Sequence, residues 1–463
     1  MHLAFAIIFN AMKRTLQIFG LVLVTAGLVF RHIDLLNALE QFASDGRITG
    51  GVREMIDIFP VFLIFAGITV CLIAIFWNRF RNIRQPEILK KKQVLYIAIL
   101  IGIALRIIWI FSFDNQPFSD AAWFNQAAIE IAQNGQYAIN GEKTAYRPIG
   151  YPSIISAIYM VLDYYLLYMK LFNLLLFILI TFFIVKIYRE LINKISIITG
   201  ILLLSILPSS IAFTGLSLSE PLFTVLMLVS LLLFSKEKHV LTGISVGLMS
   251  LVRPVLLPFF VLYPLFRKQY KQAFIILAMS IVVIMPWAIR NYRVFGEFVP
   301  VSTNSGVNLY IGNNPEATGA YMEPPELDIE NEALASKKYQ HMAIEYTLRN
   351  PLQILRMIPR KLFYLFIKDN VGIDWTDAGM ESTKGQGILH LLSFVIYYPI
   401  LFMGLWGLFR GRKGNEFWFF IYFVALYMVF FGADRFDYPL MPILAMYAGK
   451  AITTFRDKPE PLS

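Results

Sequence analysis

Leu166-Leu167-Tyr168-Met169-Lys170-Leu171-Phe172-Asn173-Leu174-Leu175-Leu176-Phe177-Ile178-Leu179-Ile180-Thr181-Phe182-Phe183-Ile184-Val185-Lys186-Ile187-Tyr188 decides the class of fold. Apart from Lys170 and Lys186 the run carries no charge, and as a helix it is long enough to cross the ~30 Å hydrocarbon core of a bilayer. Runs of the same kind recur along the 463 residues, near 14–30, 54–78, 93–112, 166–188, 195–212, 217–235, 239–252, 254–267, 272–290, 386–409, 416–432 and 438–455, giving about twelve expected spans. Backbone amides in lipid need internal partners, and these runs are too long and continuous for barrel strands. The expectation is therefore an all-α polytopic membrane protein. The composition, 57% hydrophobic against 16% charged, excludes an ordinary soluble enzyme. A single cysteine, Cys71 within an apolar run, excludes an internal disulfide and a thiolate zinc site.

Orientation comes from the short basic connections. Lys13 and Arg14, the group from Arg79 to Lys92, Lys186 to Lys194, Lys236 and Lys238, Arg267 to Lys271, Arg410 to Lys413, and Arg456 with Lys458 fall on one side when 150–163 is an outer juxtamembrane helix. That side is cytoplasmic by the excess of basic residues, and both termini lie there. The net charge of +10 is then mostly topological and implies no nucleic-acid partner. The chain divides into an N-terminal two-span segment (1–92), a transmembrane core (93–290) with a first outer loop at 113–165, a large outer loop (291–385) with an amphipathic helix from Glu332 to Thr347, and C-terminal spans with a tail (386–463). No secretory cleavage pattern follows Leu3–Phe9.

Long outer segments on a rigid scaffold are where chemistry is expected. Asp120 stands at the start of a helix that stops at Gly135; Ser119 or Asp120 would cap it, and a carboxylate there would also serve as a general base at the membrane surface. Arg147, Arg253, Arg290 and Arg435 fall at outer ends of spans or beside Asp120. Each alone reads as snorkelling or headgroup pairing; four together on one face, against the positive-inside trend, are harder to explain that way. Glu220, at the start of a span before Pro221, is either a helix-start carboxylate near the dipole or a second site acid. Tyr146, Tyr151 and Tyr292 are belt aromatics or ligand-stacking residues, and Asn313 is a turn former or a ligand. His2, His32, His239, His341 and His390 show no metal-ligand spacing, and no phosphate-binding loop, dinucleotide fingerprint or nucleophile elbow is present.

Asp120 with Trp123 and Phe124, Asn134-Gly135-Gln136-Tyr137, and Tyr146-Arg147-Pro148-Ile149-Gly150-Tyr151-Pro152 resemble the first outer loop of GT-C glycosyltransferases, in particular bacterial relatives of dolichyl-phosphate-mannose protein mannosyltransferases and the lipid A aminoarabinose transferase. The resemblance continues through Ser217-Leu218-Ser219-Glu220-Pro221, Arg253-Pro254, Arg290-Asn291-Tyr292-Arg293, Asn308 to Tyr321 and Arg435-Phe436-Asp437-Tyr438-Pro439, covering roughly 95–455. Ala121 stands where many relatives carry a second acidic residue, and Ile149 where many carry proline. The resemblance implies a GT-C fold with two large outer loops, and inverting transfer of a sugar from a polyprenyl-phosphate carrier to a hydroxyl of a lipid, polysaccharide or protein on the extracytoplasmic face of the cell membrane. Asp120 and Glu220 would be catalytic. Arg147, Arg253, Arg290, Arg435, Tyr146, Tyr151, Tyr292 and Asn313 would bind donor and substrate. No cofactor is expected; a divalent ion bridging Asp120 or Asp114 to phosphate is an open but unfavoured reading.

Two rivals stand beside this one. A flippase for lipid-linked sugars would place charges near the bilayer midplane, where Arg106 is the main candidate. An oligosaccharide ligase or polymerase on the same scaffold would use a lipid-diphosphate donor.

Overall fold

The structure, a computed structural model, describes residues 21–22, 24–25, 67, 92–113, 116–376, 384–411 and 414–453. Nearly all of the expected spans 14–30 and 54–78, most of the segment 1–92, Cys71 and Asp114 lie outside the described residues. In chain order the helices are α1 (Lys92–Ser112), α2 (Ser119–Asn134), α3 (Gly150–Leu162), α4 (Leu166–Tyr188), α5 (Lys194–Ile206), α6 (Pro208–Ala212), α7 (Glu220–Ser235), α8 (His239–Val252), α9 (Leu257–Phe266), α10 (Tyr270–Phe295), α11 (Asn304–Gly312), α12 (Glu332–Arg349), α13 (Pro351–Phe366), α14 (Val371–Thr376), α15 (Lys384–Arg410), α16 (Asn415–Val429) and α17 (Met441–Thr453). One departure from an all-helical chain lies in the first outer loop, where β1 (Ala138–Ile139) pairs antiparallel with β2 (Glu142–Lys143). Asn140 and Gly141 between them have φ of 52° and 82°, the positive values a tight hairpin turn demands.

This is a helical, membrane-embedded protein, yet among the described residues fewer helices meet the length of a full crossing than the apolar runs there imply. Gln93–Ser112, Leu166–Tyr188, Tyr270–Phe295 and Gly387–Arg410 are long and apolar enough, and α5 with the segment Pro208–Gly215 makes a fifth if counted as one span bent by 64°. Gly150–Leu162, Glu220–Ser235, His239–Val252, Pro254–Phe266 and Asn415–Val429 are shorter apolar helices. A helix of 16 residues, the length of α7, rises only about 24 Å. Proline explains several of the interruptions: Pro208, Pro221 and Pro254 each stand at the start of a helical segment, where the missing amide hydrogen costs least.

The bend between α5 and α6 needs polar groups to satisfy the interrupted backbone. Arg106 of α1, 1% exposed, supplies them. Its guanidinium donates to the carbonyls of Gly102 (3.1 Å) and Ser205 (3.3 Å) and to Ser210 Oγ (2.8 Å), and lies 3.4 Å from the Phe177 ring centroid. Asn173 of α4 similarly donates to the Thr214 and Leu216 carbonyls of the irregular stretch before α7. The deepest arginine is thus a backbone strut.

α17 is clamped between α5 and α15. A Cβ at Gly449 would run into the Ser196 carbonyl and one at Gly407 into the Tyr447 carbonyl, so hydrogen side chains let these helices approach closely. The 3₁₀ turn Asp434–Leu440, which leads directly into α17, is held in place by this packing. The described residues of 291–385 are mostly helical: α11 packs on α12, and Asn331 caps α12 by accepting from the amides of Ala333 and Leu334.

Candidate active site

The site assembles at helix ends. Glu220 opens α7 while Lys236 follows its other end; Arg253 follows the C-terminus of α8 while Lys238 precedes its start. The acidic and arginine-bearing ends therefore lie opposite the basic turns. Asp120 is in the first turn of α2, entered through Ser119 at φ 50°, a left-handed value that a non-glycine residue keeps only where its surroundings hold it. Neither Ser119 nor Asp120 caps the helix through its side chain. The Asp120 carboxylate is instead engaged by two arginines, and the helix closes at Gly135 with φ 65°.

Arg147 Nη2 donates to Asp120 Oδ1, and Arg435 Nη1 donates to Oδ2 at 2.6 Å. Beside them Arg253 Nη2 donates to Glu220 Oε1 at 2.5 Å and its Nε to Ser219 Oγ at 2.9 Å. Glu220 has 0% side-chain exposure, whereas Asp120 keeps 14%. Aromatic rings wall the cluster. Arg147 lies 5.4–5.5 Å from the ring centroids of Trp123, Phe124 and Tyr146, and Arg435 lies between Trp375 and Phe436 at 5.4 and 5.5 Å. Phe436 is shared, since Arg253 stands 5.9 Å from the same ring. Burial by itself would raise the Asp120 carboxyl, but the charges of Arg435 and Arg147, the hydrogen bond from Arg435 and the charge of Arg253 outweigh it and hold it below its ordinary value. Burial would lower the Arg435 guanidinium, and Asp120 and Glu220 more than reverse this.

Other sequence candidates lie elsewhere. Arg290 donates to the carbonyls of Thr144 (2.7 Å) and Tyr137 (2.8 Å), lashing the first outer loop to α10. Asn313 is 3% exposed and is an interior strut, donating to the Leu309 and Val429 carbonyls and accepting from Lys361. Tyr292 is exposed. Tyr151 is buried edge-on against Phe124 and supports the wall behind Arg147. Tyr146 alone of the candidate tyrosines faces a cluster arginine. Among the described residues no group of three or more His, Cys, Asp or Glu could hold a metal ion.

The structure adds residues that the sequence reading passed over. Tyr137 donates its hydroxyl to the Arg147 carbonyl at 2.8 Å, fixing that backbone. Glu332, at the start of α12, accepts from Thr144 Oγ1, the Ala145 amide and Thr303, joining both outer segments. The Asn140-Gly141 turn was the available local signal for this loop's shape. Behind Arg435, Lys368 Nζ stands 3.8 Å from Asp374 and 3.9 Å from Asp434, and His390 Nε2 is 2.8 Å from Asp374. Burial raises Asp434 to about 6 and Asp369 to about 7.

These raised carboxyls have a measurable consequence. Their folded values lie above the unfolded value of about 3.9, so the native state keeps protons the unfolded chain has released. Their stabilising contribution is complete below that value and is lost as pH rises through about 6 and about 7. Asp369→Asn should raise the melting temperature of the detergent-solubilised protein at pH 8 and change it little at pH 4. An equal shift at both pH values would show that Asp369 is not the group responsible.

No family model and no curated protein matches the chain. Among solved structures it is similar to the oligosaccharyltransferase of Archaeoglobus fulgidus in the apo form, at 14% identity and a TM-score of 0.46 over 78% of this chain and 50% of that one. It is also similar to the archaeal oligosaccharyltransferase AglB from the same organism in complex with an inhibitory peptide and a dolichol-phosphate (14% identity, TM-score 0.45, 78% and 49% covered). A third similar structure is ArnT from Cupriavidus metallidurans bound to undecaprenyl phosphate (12% identity, TM-score 0.39, 77% and 76% covered). The chain spans about half the length of the archaeal protein.

Proposed function

We propose that the chain is an inverting glycosyltransferase that moves a sugar from a polyprenyl-phosphate carrier to an acceptor hydroxyl on the extracytoplasmic face. The observation that carries this reading is the meeting of Asp120 with Arg147 and Arg435, beside the Arg253–Glu220 pair, at helix ends opposite the basic turns. By the excess of basic residues those turns face the cytoplasm, so the site faces outward. In the reaction the acceptor oxygen bonds to the anomeric carbon as the bond from that carbon to the phosphate oxygen breaks. The bonding pair leaves on the phosphate, and the hydroxyl proton goes to the Asp120 carboxylate. Guanidinium groups meet the charge that gathers on the leaving phosphate, with the rigid two-pronged geometry that phosphate accepts. Glu220 holds Arg253 in place, and the aromatic walls suit the faces of a sugar ring.

A flippase would need a charged path through the bilayer. The engagement of Arg106 with backbone carbonyls and Ser210 supports the enzyme reading over that one.

Purified protein given a polyprenyl-phosphate sugar and membrane extract should release polyprenyl phosphate, and Arg435→Ala should weaken donor binding about tenfold, the scale of a hydrogen bond to a charged group. Undiminished donor binding in both Arg435→Ala and Arg147→Ala would refute the phosphate site.

A further inference from the structure

We propose that Asp120 is held shut by the guanidinium groups of Arg147 and Arg435, and that the carrier phosphate, by taking those two groups for itself, frees the carboxylate to act on the acceptor. This rests on the glycosyl-transfer reading above and adds an order to it: the donor must be seated before the base exists.

Geometry carries the inference. Each Asp120 oxygen is occupied by a different arginine, Oδ1 by Arg147 and Oδ2 by Arg435. An acceptor hydroxyl approaching this carboxylate competes with two cations for the oxygen that must take its proton. A base works best when its proton affinity suits the working pH, and the paired arginines hold Asp120 below its ordinary value.

The two arginines differ from Arg253 in how they are held. Arg253 is pinned by Glu220 and Ser219 and belongs to the fixed frame. Arg147 keeps a buried Nε with no hydrogen-bond partner among the described residues, and both Arg147 and Arg435 have about a fifth of their side-chain surface open. Each also lies over aromatic faces, a contact that tolerates sliding better than a directed hydrogen bond does. A lipid phosphodiester offers two unesterified oxygens, each able to accept from more than one N–H, so one such group can satisfy both guanidiniums. No bond is made or broken in this step; two hydrogen bonds move from carboxylate to phosphate. The site then carries one more negative charge, next to a carboxylate without its cations, and the proton affinity of Asp120 rises as the acceptor arrives. Without carrier the base stays silent.

The test is a binding measurement rather than an activity. A polyprenyl phosphate in lipid nanodiscs is titrated against the parent and Asp120→Asn by calorimetry, with neutral polyprenol and inorganic phosphate as the other two probes. Asp120→Asn leaves the arginines without their competing anion, so it should bind polyprenyl phosphate about tenfold more tightly than the parent, the scale of a hydrogen bond to a charged group. Polyprenol should not respond to the substitution, and inorganic phosphate should respond in the same direction as the lipid. Asp120→Ala repeats the comparison should the Asn variant not fold. Equal or weaker binding by the variants, with the parent binding well, overturns the latch and leaves the phosphate site intact. Absence of binding in parent and variants alike overturns the glycosyl-transfer reading and the latch together.

Discussion

Asp120→Asn should lower glycosyl-transfer turnover by about 10² or more, the usual cost of removing a general base, while carrier binding is kept or improved. The substitution preserves shape and removes the charge proposed to receive the acceptor proton. The structure makes the variant interpretable: Asp120 and its two arginines retain 14–20% side-chain exposure, so cations left without their carboxylate can be solvated. Turnover is followed as release of polyprenyl phosphate from a polyprenyl-phosphate sugar. A variant that turns over like the parent shows that another group takes the proton.

The second large effect is on stability. Arg253→Ala should destabilise the protein by about 3–5 kcal/mol, as the loss of one partner from a buried ion pair does. Glu220 has no side-chain exposure, its Oε2 has no hydrogen-bond partner among the described residues, and its Oε1 accepts from Arg253. Removing the guanidinium leaves a buried carboxylate with no solvent and no directly bonded cation. Adding Glu220→Gln to Arg253→Ala should recover part of the loss in a thermal melt, because the uncompensated charge goes with it, but should not recover activity. If Arg253→Ala melts at the parent temperature, the pair is not what holds α7 against α8.

The apolar runs made the helices legible, since hydropathy acts locally, but their lengths as crossings were not. Pro208 turns 195–212 into a 64° bend, and α7, α8, α9 and α16 are short. What decides such cases is tertiary, as when Arg106 pairs with a carbonyl 99 positions away. For the site, the residue types and helix ends pointed to Asp120, Glu220, Arg147, Arg253 and Arg435, and the structure brings these together. A basic residue at a helix end has two possible users, however, an anion or a backbone carbonyl, and sequence alone does not choose between them. Arg290 went to carbonyls for that reason, and the neutral amide of Asn313 went to the interior. Glu332, Lys368, Asp374 and Trp375 carry no motif of their own and acquire meaning only from contacts made across the fold.

The two arginines on Asp120 differ greatly in distance along the chain. Arg147 follows it by 27 residues and Arg435 by 315. At about 5–20 residues per second of ribosomal synthesis, Arg147 emerges within seconds, whereas Arg435 emerges roughly a quarter of a minute to a minute later, just ahead of α17. The nascent chain can therefore pair this carboxylate with its near neighbour long before α17 is inserted, and the cluster is finished only when α17 slots between α5 and α15. A truncation that removes α17 should therefore leave the Asp120–Arg147 pair made while the turn that carries Arg435 loses the packing that holds it.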